Sequence, residues 1–436
     1  EFYSNSLEVL SFLQSKKIKP GDKVLVNLDN SIEYFYLFFA CLLGNYVICP
    51  IDIELKHEKI KELEKIIKPK IKILKKNNIK FLKRKTIPTI RKNSPYLIIF
   101  TSGTTGKPKG IQISNSSYIG SSISYAKLAG YENETNLLHF LPMYYNAGIL
   151  NTFFSCFFSG SKITLINKIS ALNIYYFWEK IDNKDINYLQ LTPEIANSLT
   201  KLKVSNNLKE QIKKIKFVST GSYLHQNIVD KFEKHFDVRI LSCYGLTEIG
   251  GPLTIQNWEN TFITGSVGYH SKEIKIKIYN KNEKNILIKS PYIMDGYINE
   301  HGKLSKPKLK NGFFDTGDIG SYKNGELTII GRRKDIIKKG AEIVSLASIE
   351  NTILKNEIVD EVTGISKNDQ IKGSKIFMFI KFNKVKKVDK MLNKLENYIK
   401  RKLKKIEIPD KLIPVPEIPK TYNGKPKKNI LEKIYL

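Results

Sequence analysis

Arginine is scarce in this 436-residue chain, since only six of its 72 lysine and arginine residues are arginines. The lysines are spread along the whole chain among many asparagines and isoleucines, and the formal net charge is +30. Recognition of bases and phosphates favours the planar arginine fork over the flexible lysine point charge. The composition therefore predicts a solvated basic surface with no nucleic-acid partner, and a polyanion-binding face remains the alternative. The six arginines are Arg84, Arg91, Arg239, Arg332, Arg333 and Arg401.

Cysteine and histidine are too few and too scattered to predict a metal site. The four cysteines have no CxxC spacing and lie in apolar or strand-like segments, so we expect buried thiols in a reducing compartment. The six histidines form no ligand cluster in the sequence, and we interpret them as core or surface residues. The cysteines are Cys41, Cys49, Cys156 and Cys243.

Long apolar runs and a leader sequence are also lacking. No run approaches the roughly 20 apolar residues of a membrane-spanning helix, so we expect no stable membrane insertion. Hydrophobic residues make up 41% and charged residues 26%, a globular balance that excludes wholesale disorder. The chain opens on Glu1-Phe2-Tyr3, without a methionine or a charged and then apolar leader. The sequence therefore predicts a cytoplasmic protein without a signal peptide, from which an amino-terminal segment is missing.

The first part of the chain alternates short apolar strands with helices. The length predicts two to four folding units with a substantial core. A strand at 23–27, a buried helix at 33–43 and a strand at 46–51 make a strand–helix–strand unit, which predicts a parallel sheet. Further predicted elements of this large α/β body are the strands 96–100, 162–166, 188–191, 216–219 and 239–242 and the helix 228–235.

The pattern changes twice toward the carboxyl end. Short strand-like runs separated by glycine and asparagine turns predict a β subdomain at about 265–330, which would complete an N-terminal domain of residues 1–332. Residues 333–436 then predict a small mobile α+β domain with strands at 360–365 and 374–382 and a helix at 388–405. The short polar segment 331–335 between the two domains could serve as a hinge.

The segment after the predicted strand 96–100 is rich in glycine, hydroxyl and lysine side chains. Glycines let backbone N–H groups turn toward an anion, hydroxyls donate to phosphate oxygens and lysine neutralises charge, so we expect a polyphosphate-binding loop. It is not a Walker loop, because only two residues separate Gly103 from Gly106 and Pro108 replaces the required serine or threonine. The expected phosphate-binding residues are Thr101, Ser102, Gly103, Thr104, Thr105, Gly106 and Lys107.

The ten residues 101–110 resemble the signature loop of the acyl-adenylate-forming superfamily, which contains acyl-CoA synthetases, luciferases and peptide-synthetase adenylation domains. Further motifs of that family follow in the same order, and the resemblance covers essentially the whole chain. It implies ATP and Mg²⁺ as cofactors and a large N-terminal body with a mobile C-terminal domain.

The segment Tyr244-Gly245-Leu246-Thr247-Glu248 resembles the family's tyrosine-glycine-x-threonine-glutamate element. The resemblance implies that the Tyr244 ring lies against adenine beside Gly245. It also implies that the Thr247 hydroxyl meets the α-phosphate and that Glu248 ligates magnesium. The segment 312–318 resembles the ribose-binding element, in which Asp318 would accept hydrogen bonds from the ribose hydroxyls.

Two later segments resemble the domain junction and the catalytic loop of the family. In the segment 331–338 the resemblance implies a ribose or phosphate contact for Arg332 and makes Lys334 the hinge. The segment Pro419-Lys420-Thr421-x-x-Gly424-Lys425 implies that Lys425 bridges the attacking carboxylate and the α-phosphate in the transition state. The loop at Gly340 would then face a thiol in a second step.

The acid-binding elements resemble the family less closely. Gly221 lies where the family has an adenine loop, but Tyr223 replaces the usual proline. In the element 141–148, Tyr145 stands where acyl and aryl ligases carry a histidine. The expected substrate pocket comprises Tyr145, Gly148 and Gly250.

The resemblance therefore predicts ATP-dependent activation of a small carboxylic acid through an acyl-adenylate. The acyl group would pass to coenzyme A or to the phosphopantetheine of an acyl carrier protein. An amino-acid-activating ligase is the alternative, although the element around Tyr144 and Tyr145 lacks the aspartate that usually pairs with a substrate ammonium. A catalytically inactive nucleotide-binding or basic scaffold protein is the remaining alternative. Four residues present together argue against it, namely Thr104, Glu248, Asp318 and Lys425.

Overall fold

The computed structural model describes all residues except 84–86, 102–108, 170–172, 183, 260–262, 281–283, 340–341, 370–372, 384–386 and 422–424. In chain order the described strands are β1 (Lys23–Val26), β2 (Val47–Pro50), β3 (Ile71–Ile73), β4 (Pro95–Thr101), β5 (Lys109–Ser114), β6 (Asn136–His139), β7 (Lys162–Leu165), β8 (Tyr188–Leu191), β9 (Lys216–Ser219), β10 (Ile240–Leu246), β11 (Gly251–Ile255), β12 (Ser266–His270), β13 (Lys275–Tyr279), β14 (Asn285–Lys289), β15 (Gly296–Ile298), β16 (Leu304–Ser305), β17 (Leu309–Lys310), β18 (Phe313–Lys323), β19 (Glu326–Arg332), β20 (Ile336–Lys339), β21 (Glu342–Ser345), β22 (Val359–Asp369), β23 (Gly373–Phe382) and β24 (Lys411–Pro414).

The helices lie between these strands. In chain order the α-helices are α1 (Phe2–Ser15), α2 (Ile32–Gly44), α3 (His57–Ile67), α4 (Asn115–Ala129), α5 (Ser155–Ser159), α6 (Pro193–Leu199), α7 (Asn206–Ile212), α8 (Gln226–Phe236), α9 (Leu346–Leu354), α10 (Val388–Lys402) and α11 (Lys428–Tyr435). A π-helix spans Ala147–Phe154, and short 3₁₀ helices include Thr247–Ile249 and Arg333–Asp335. None of the helices in the described part of the chain is both long and apolar enough to cross a bilayer.

Helix α2 shows how local sequence sets these boundaries. The Ser31 side chain accepts a hydrogen bond from the backbone N–H of Tyr34 and caps the first turn. Asn45 ends the helix in the left-handed conformation, with φ of 56°. Nearly every residue between the caps is buried, as expected for a helix that is apolar on all sides.

The first sheet has the strand order β16-β15-β5-β4-β2-β1-β3. The neighbours β3, β1, β2 and β4 are parallel, which agrees with the parallel pairing expected from the strand–helix–strand unit. The pairs β4–β5, β5–β15 and β15–β16 are antiparallel. This sheet carries the segment between β4 and β5, where residues 102–108 lie outside the described part of the chain.

The second sheet has the order β13-β14-β18-β19-β12-β11-β10-β9-β8-β6-β7, with β17 beside β18. Its strands from β7 to β10 are parallel, and those from β10 to β13 are antiparallel. The strands of the region 265–330 are therefore continuous with both sheets, since β15 and β16 join the first sheet and the others extend the second. The α/β class is confirmed.

Residues 336–436 make a smaller α+β unit. The strands β22, β23 and β24 form one sheet, and β20 pairs with β21. Two hydrophobic clusters are built wholly from residues 337–435, whereas three others use residues between 2 and 329. Helix α10 ends at Lys402, three residues before the predicted end at 405, because Leu403 takes an extended backbone and joins the small core. We use the names N-terminal body for residues 1–332 and C-terminal unit for residues 333–436.

Aromatic rings join α2 to the π-helix in the core of the N-terminal body. The Phe35 and Phe153 rings are stacked with centroids 3.8 Å apart, and Phe39 stacks on Phe154 at 5.5 Å. Phe153 and Phe154 are fully buried. The four cysteines are also buried, as predicted.

Replacing Phe153 by alanine should destabilise the N-terminal body by about 3–5 kcal/mol, because the cavity removes a stacked and fully buried ring. We expect the melting temperature in calorimetry to fall by roughly 5 °C or more. Tyr175→Ala is the matched control, since that ring is 71% exposed. Equal melting temperatures for the two variants would contradict this account of the core.

Candidate active site

The carboxylate of Asp318, on β18, is contacted by side chains from two other strands of the second sheet. Asp318 is only 3% exposed. The Tyr244 hydroxyl, from β10, donates to Asp318 Oδ2 at 2.6 Å. The Arg332 Nε, at the end of β19, lies 2.8 Å from Asp318 Oδ1. The structure therefore brings together the three residues that the sequence assigned to adenine, ribose and phosphate contacts.

Electrostatics and backbone geometry both hold this carboxylate in place. Burial raises the pKa of Asp318, while the Arg332 guanidinium and the Tyr244 hydroxyl oppose the rise. The Asp318 backbone N–H donates to the Thr316 hydroxyl oxygen at 3.1 Å, and that hydroxyl donates to the Ile286 carbonyl on β14. Gly317 adopts φ of +71°, which lets the chain turn between Thr316 and Asp318.

Glu248 lies in the 3₁₀ turn that follows β10, next to Thr247. Its Oε1 accepts a hydrogen bond from the Tyr297 hydroxyl at 3.2 Å. Tyr297 belongs to β15 of the first sheet, and the Lys109 ammonium lies 5.8 Å from the centre of its ring. Glu248 therefore lies between the paired strands β15 and β5 of the first sheet and strand β10, which bears Tyr244.

Lys425 of the C-terminal unit interacts electrostatically with this group of residues. Loss of hydration lowers the pKa of Lys425, the Arg332 charge lowers it further, and the carboxylates of Asp318 and Glu248 oppose both effects. The Lys425 side chain as a whole is exposed to solvent. Lys425, from the last motif of the sequence, thus belongs to the same candidate site as Asp318, Arg332 and Glu248 from the motifs of the N-terminal body.

Within three residues, the segment between the two units changes from ion pairs with the N-terminal body to an ion pair within the C-terminal unit. Arg332 is held by Asp318, and Arg333 makes a bidentate pair with Asp315 at 3.1 Å, so both arginines are tied to β18 of the N-terminal body. Two residues later, Asp335 pairs with Lys428 of α11 in the C-terminal unit at 3.1 Å. The change from one partner to the other falls at Lys334.

Tyr145, assigned to the substrate pocket, and Gly221, assigned to the adenine loop, lie against each other. A Cβ atom added at Gly221 would lie 2.5 Å from the Tyr145 hydroxyl oxygen, and Gly221 has φ of +93°. Gly148 and Gly250 have structural reasons for lacking a side chain. A Cβ at Gly148 would lie 2.2 Å from the Pro142 carbonyl oxygen, and Gly250 has φ of +93° at the end of a 3₁₀ turn. Gly245 similarly lets β10 approach β11.

Several predicted site residues fall in the ranges that the structure does not describe. Ser102, Gly103, Thr104, Thr105, Gly106 and Lys107 lie outside the described residues, and so does Gly340. The backbone of Thr101 belongs to β4, but its side chain also lies outside the description.

Sequence reasoning missed Tyr297 and Asp315. Asp315 lies inside the recognised segment 312–318, and its pairing with the second of two consecutive arginines is a signal that could have found it. Tyr297 gave no such signal, since its approach to Glu248 depends on the pairing of β15 with β5 across a sequence separation of about 190 residues.

In this two-unit α/β fold, Tyr244, the buried Asp318 and Arg332 form a connected group with Lys425 within electrostatic range, and this group is the candidate nucleotide site. The chain belongs to the AMP-binding enzyme family. The family model matches residues 67–298, and the model of the AMP-binding enzyme C-terminal domain matches residues 348–425.

Known relatives and structures agree with this assignment. The chain is 24% identical to 2-succinylbenzoate–CoA ligase of Bacillus subtilis over 461 residues, covering 99% of this chain and 92% of the relative. It is 24% identical to the mitochondrial malonate–CoA ligase ACSF3 of Xenopus laevis over 379 residues, covering 78% of this chain but only 65% of that relative. The crystal structure of ATP-bound MatB from Rhodopseudomonas palustris matches with a TM-score of 0.87 at 21% identity, covering 100% of this chain and 93% of that one.

Tyr244→Phe should weaken the binding of AMP and ATP by roughly fivefold to tenfold, because it removes one hydrogen bond to a buried carboxylate and keeps the ring. Isothermal titration of each nucleotide measures the effect. Tyr279→Phe, at an exposed position on β13, is the control. An unchanged nucleotide affinity in Tyr244→Phe would contradict the role given to this hydroxyl.

Proposed function

We propose that this protein activates a small carboxylic acid with ATP and transfers the acyl group to a thiol. In the first step a carboxylate oxygen attacks the α-phosphorus, pyrophosphate leaves and an acyl-adenylate forms. In the second step the thiol displaces AMP and a thioester forms. Coenzyme A is the proposed acceptor, because the two relatives described above are both named as coenzyme A ligases.

The observation that supports this proposal best is that Lys425 of the C-terminal unit lies within electrostatic range of Asp318, Arg332 and Glu248 of the N-terminal body. A lysine ammonium at this place would stabilise the negative charge that builds up as the carboxylate attacks the α-phosphate. Asp318 would accept hydrogen bonds from the ribose, and the Tyr244 ring would lie beside adenine. Arg332, already paired with Asp318, would hold that carboxylate ionised despite its burial.

The residues around Glu248 fit a Mg²⁺ ion that arrives with ATP. Mg²⁺ is commonly held by one or two carboxylates together with substrate phosphates and waters. Glu248 supplies one such carboxylate, oriented by Tyr297, and within the described ranges no group of three or more histidine, cysteine, aspartate or glutamate residues could hold a metal by itself. When bound, the ion would neutralise phosphate charge, while Glu248 and Thr247 supply oxygen ligands and a hydroxyl donor.

Tyr145 and Lys334 complete the proposal. The Tyr145 hydroxyl, packed on Gly221, would donate a hydrogen bond near the acid, where related ligases use a histidine. Lys334 is proposed as the hinge, because the anchoring changes there from Asp315 to Lys428. Rotation at this residue would remove Lys425 after the first step and turn the segment at Gly340 toward the thiol.

Exchange of pyrophosphate with ATP, measured across a panel of aliphatic, aromatic, dicarboxylic and amino acids, tests the proposed function. We expect acid-dependent exchange with at least one carboxylic acid and formation of AMP and a thioester once coenzyme A is added. Release of ADP, or nucleotide binding without exchange for any acid, would count against an acid-activating enzyme.

Lys425→Ala should slow adenylate formation by a factor of about 100 or more, the effect expected when one preorganised charge leaves a transition-state site. Thiolysis of a supplied acyl-adenylate should continue, since the proposal uses Lys425 only in the first step. Lys427→Ala removes an exposed lysine of the same segment and serves as the control. An equal loss in both half-reactions, with normal melting, would show that Lys425 has a different role.

A further inference from the structure

One side-chain amide joins the two units of the structure beside the candidate site. Asn351 lies on α9 of the C-terminal unit, and its Oδ1 is 2.6 Å from Nδ1 of His225 in the N-terminal body. Its Nδ2 donates to the Tyr223 hydroxyl oxygen at 3.3 Å. The oxygen and the nitrogen of the Asn351 amide are thus both hydrogen-bonded to residues of the N-terminal body. Because an amide oxygen can only accept, Nδ1 of His225 carries the proton in this contact.

The residues that Asn351 contacts lie in the same short loop as Gly221. Tyr223 and His225 lie two and four residues after Gly221, which packs against the Tyr145 hydroxyl. The Tyr223 and His225 rings also meet edge to face, with centroids 5.0 Å apart. The same short loop therefore contacts the proposed acid-binding residue on one side and the C-terminal unit on the other.

We propose that Tyr223, His225 and Asn351 form an interdomain clasp that holds Lys425 in position for adenylate formation. The inference rests on the proposed function and adds three positioning residues to it. Tyr223 gains a role from this geometry, since the proline usual at this position in the family has no hydroxyl to accept the bond from Asn351. Lys425 lies within electrostatic range of Asp318 and Glu248 in the docked orientation that the clasp would secure.

Further contacts between the two units lie close to the clasp and to the catalytic segment. The Asn227 side chain, on α8, donates to the Leu354 carbonyl at the end of α9 at 3.4 Å. Lys420, five residues before Lys425, pairs with Glu361 of its own unit at 2.7 Å. Burial raises the pKa of Glu194 on α6, and the Lys420 ammonium opposes the rise, which places this carboxyl near the catalytic segment.

The clasp is suited to a step that must later be reversed. Its groups are neutral, because burial lowers the pKa of His225 and keeps the imidazole uncharged near pH 7. Water can replace both hydrogen bonds when the units separate, so neither unit is left with an unpaired charge. Rotation at Lys334 would therefore open the clasp without a large penalty.

Asn351→Ala tests the clasp in the full-length chain. We expect adenylate formation to fall about fivefold to tenfold and thiolysis of a supplied acyl-adenylate to stay within twofold of the parent. Tyr223→Phe, which removes one bond and keeps the ring, should act in the same direction with a smaller effect. Lys201→Ala is the matched control, because it removes an exposed pair with Asp360 across the same interface.

The orientation of the units is measured independently of activity. Spin labels at Glu134→Cys and Lys394→Cys, both exposed positions, report the distance between the units, and the four native cysteines are buried. Asn351→Ala should move population away from the parent distance in the nucleotide-bound protein, and Lys201→Ala should not. An unchanged distance distribution overturns the clasp whatever the rates, and so does an unchanged rate of adenylate formation. Failure of the parent protein to exchange pyrophosphate would instead refute the proposed function.

Discussion

The bond network around Asp318 is the interaction on which the candidate site depends. Its carboxylate joins Tyr244 of β10 to Arg332 of β19, and so fixes three strands of the second sheet relative to each other. A buried carboxylate is costly unless it is paired and hydrogen-bonded, and this one has both kinds of partner. The aromatic ring proposed for adenine and the acceptor proposed for ribose are consequently positioned by a single contact. Tyr244 and Arg332 offset the cost of burying the charge, and both also have a role in the proposed nucleotide binding.

The ion pairs of this network also restrict where the backbone between the two units can rotate. Because Arg332 is tied to Asp318 and Arg333 to Asp315, the last residues of β19 belong mechanically to the N-terminal body. Asp335 is tied by Lys428 to the C-terminal unit. A rotation that left both sets of ion pairs intact would have to use the backbone dihedrals around Lys334. The proposed hinge follows from this distribution of contacts as well as from the resemblance to the family.

Much of the fold could be predicted because strand and helix periodicity is local. The strands 188–191 and 216–219 agree with β8 and β9, and the helix at 33–43 lies within α2. Local pattern could not predict that β15 and β16 leave the region around them and pair with β5, because that pairing is set by packing across the whole body. For the same reason Tyr244 and Asp318 were found from their motifs, whereas the contact of Tyr297 with Glu248 was not. Lys425 stands out among the many lysines only through the residues that frame it.

The contrast between charged and neutral contacts explains how one interface could serve two steps. An exposed ion pair such as Lys201–Asp360 contributes about 0–1 kcal/mol, since water and salt screen it in either orientation. A buried ion pair would hold the units more firmly, but separation would leave each charge without its partner and would slow the second step. The amide of Asn351 lies between these extremes, because it is directional enough to select one orientation and its partners are easily hydrated once released. A neutral hydrogen-bonded contact beside the reacting groups therefore satisfies the two demands of a proposed cycle in which Lys425 must first be held in the site and then withdrawn.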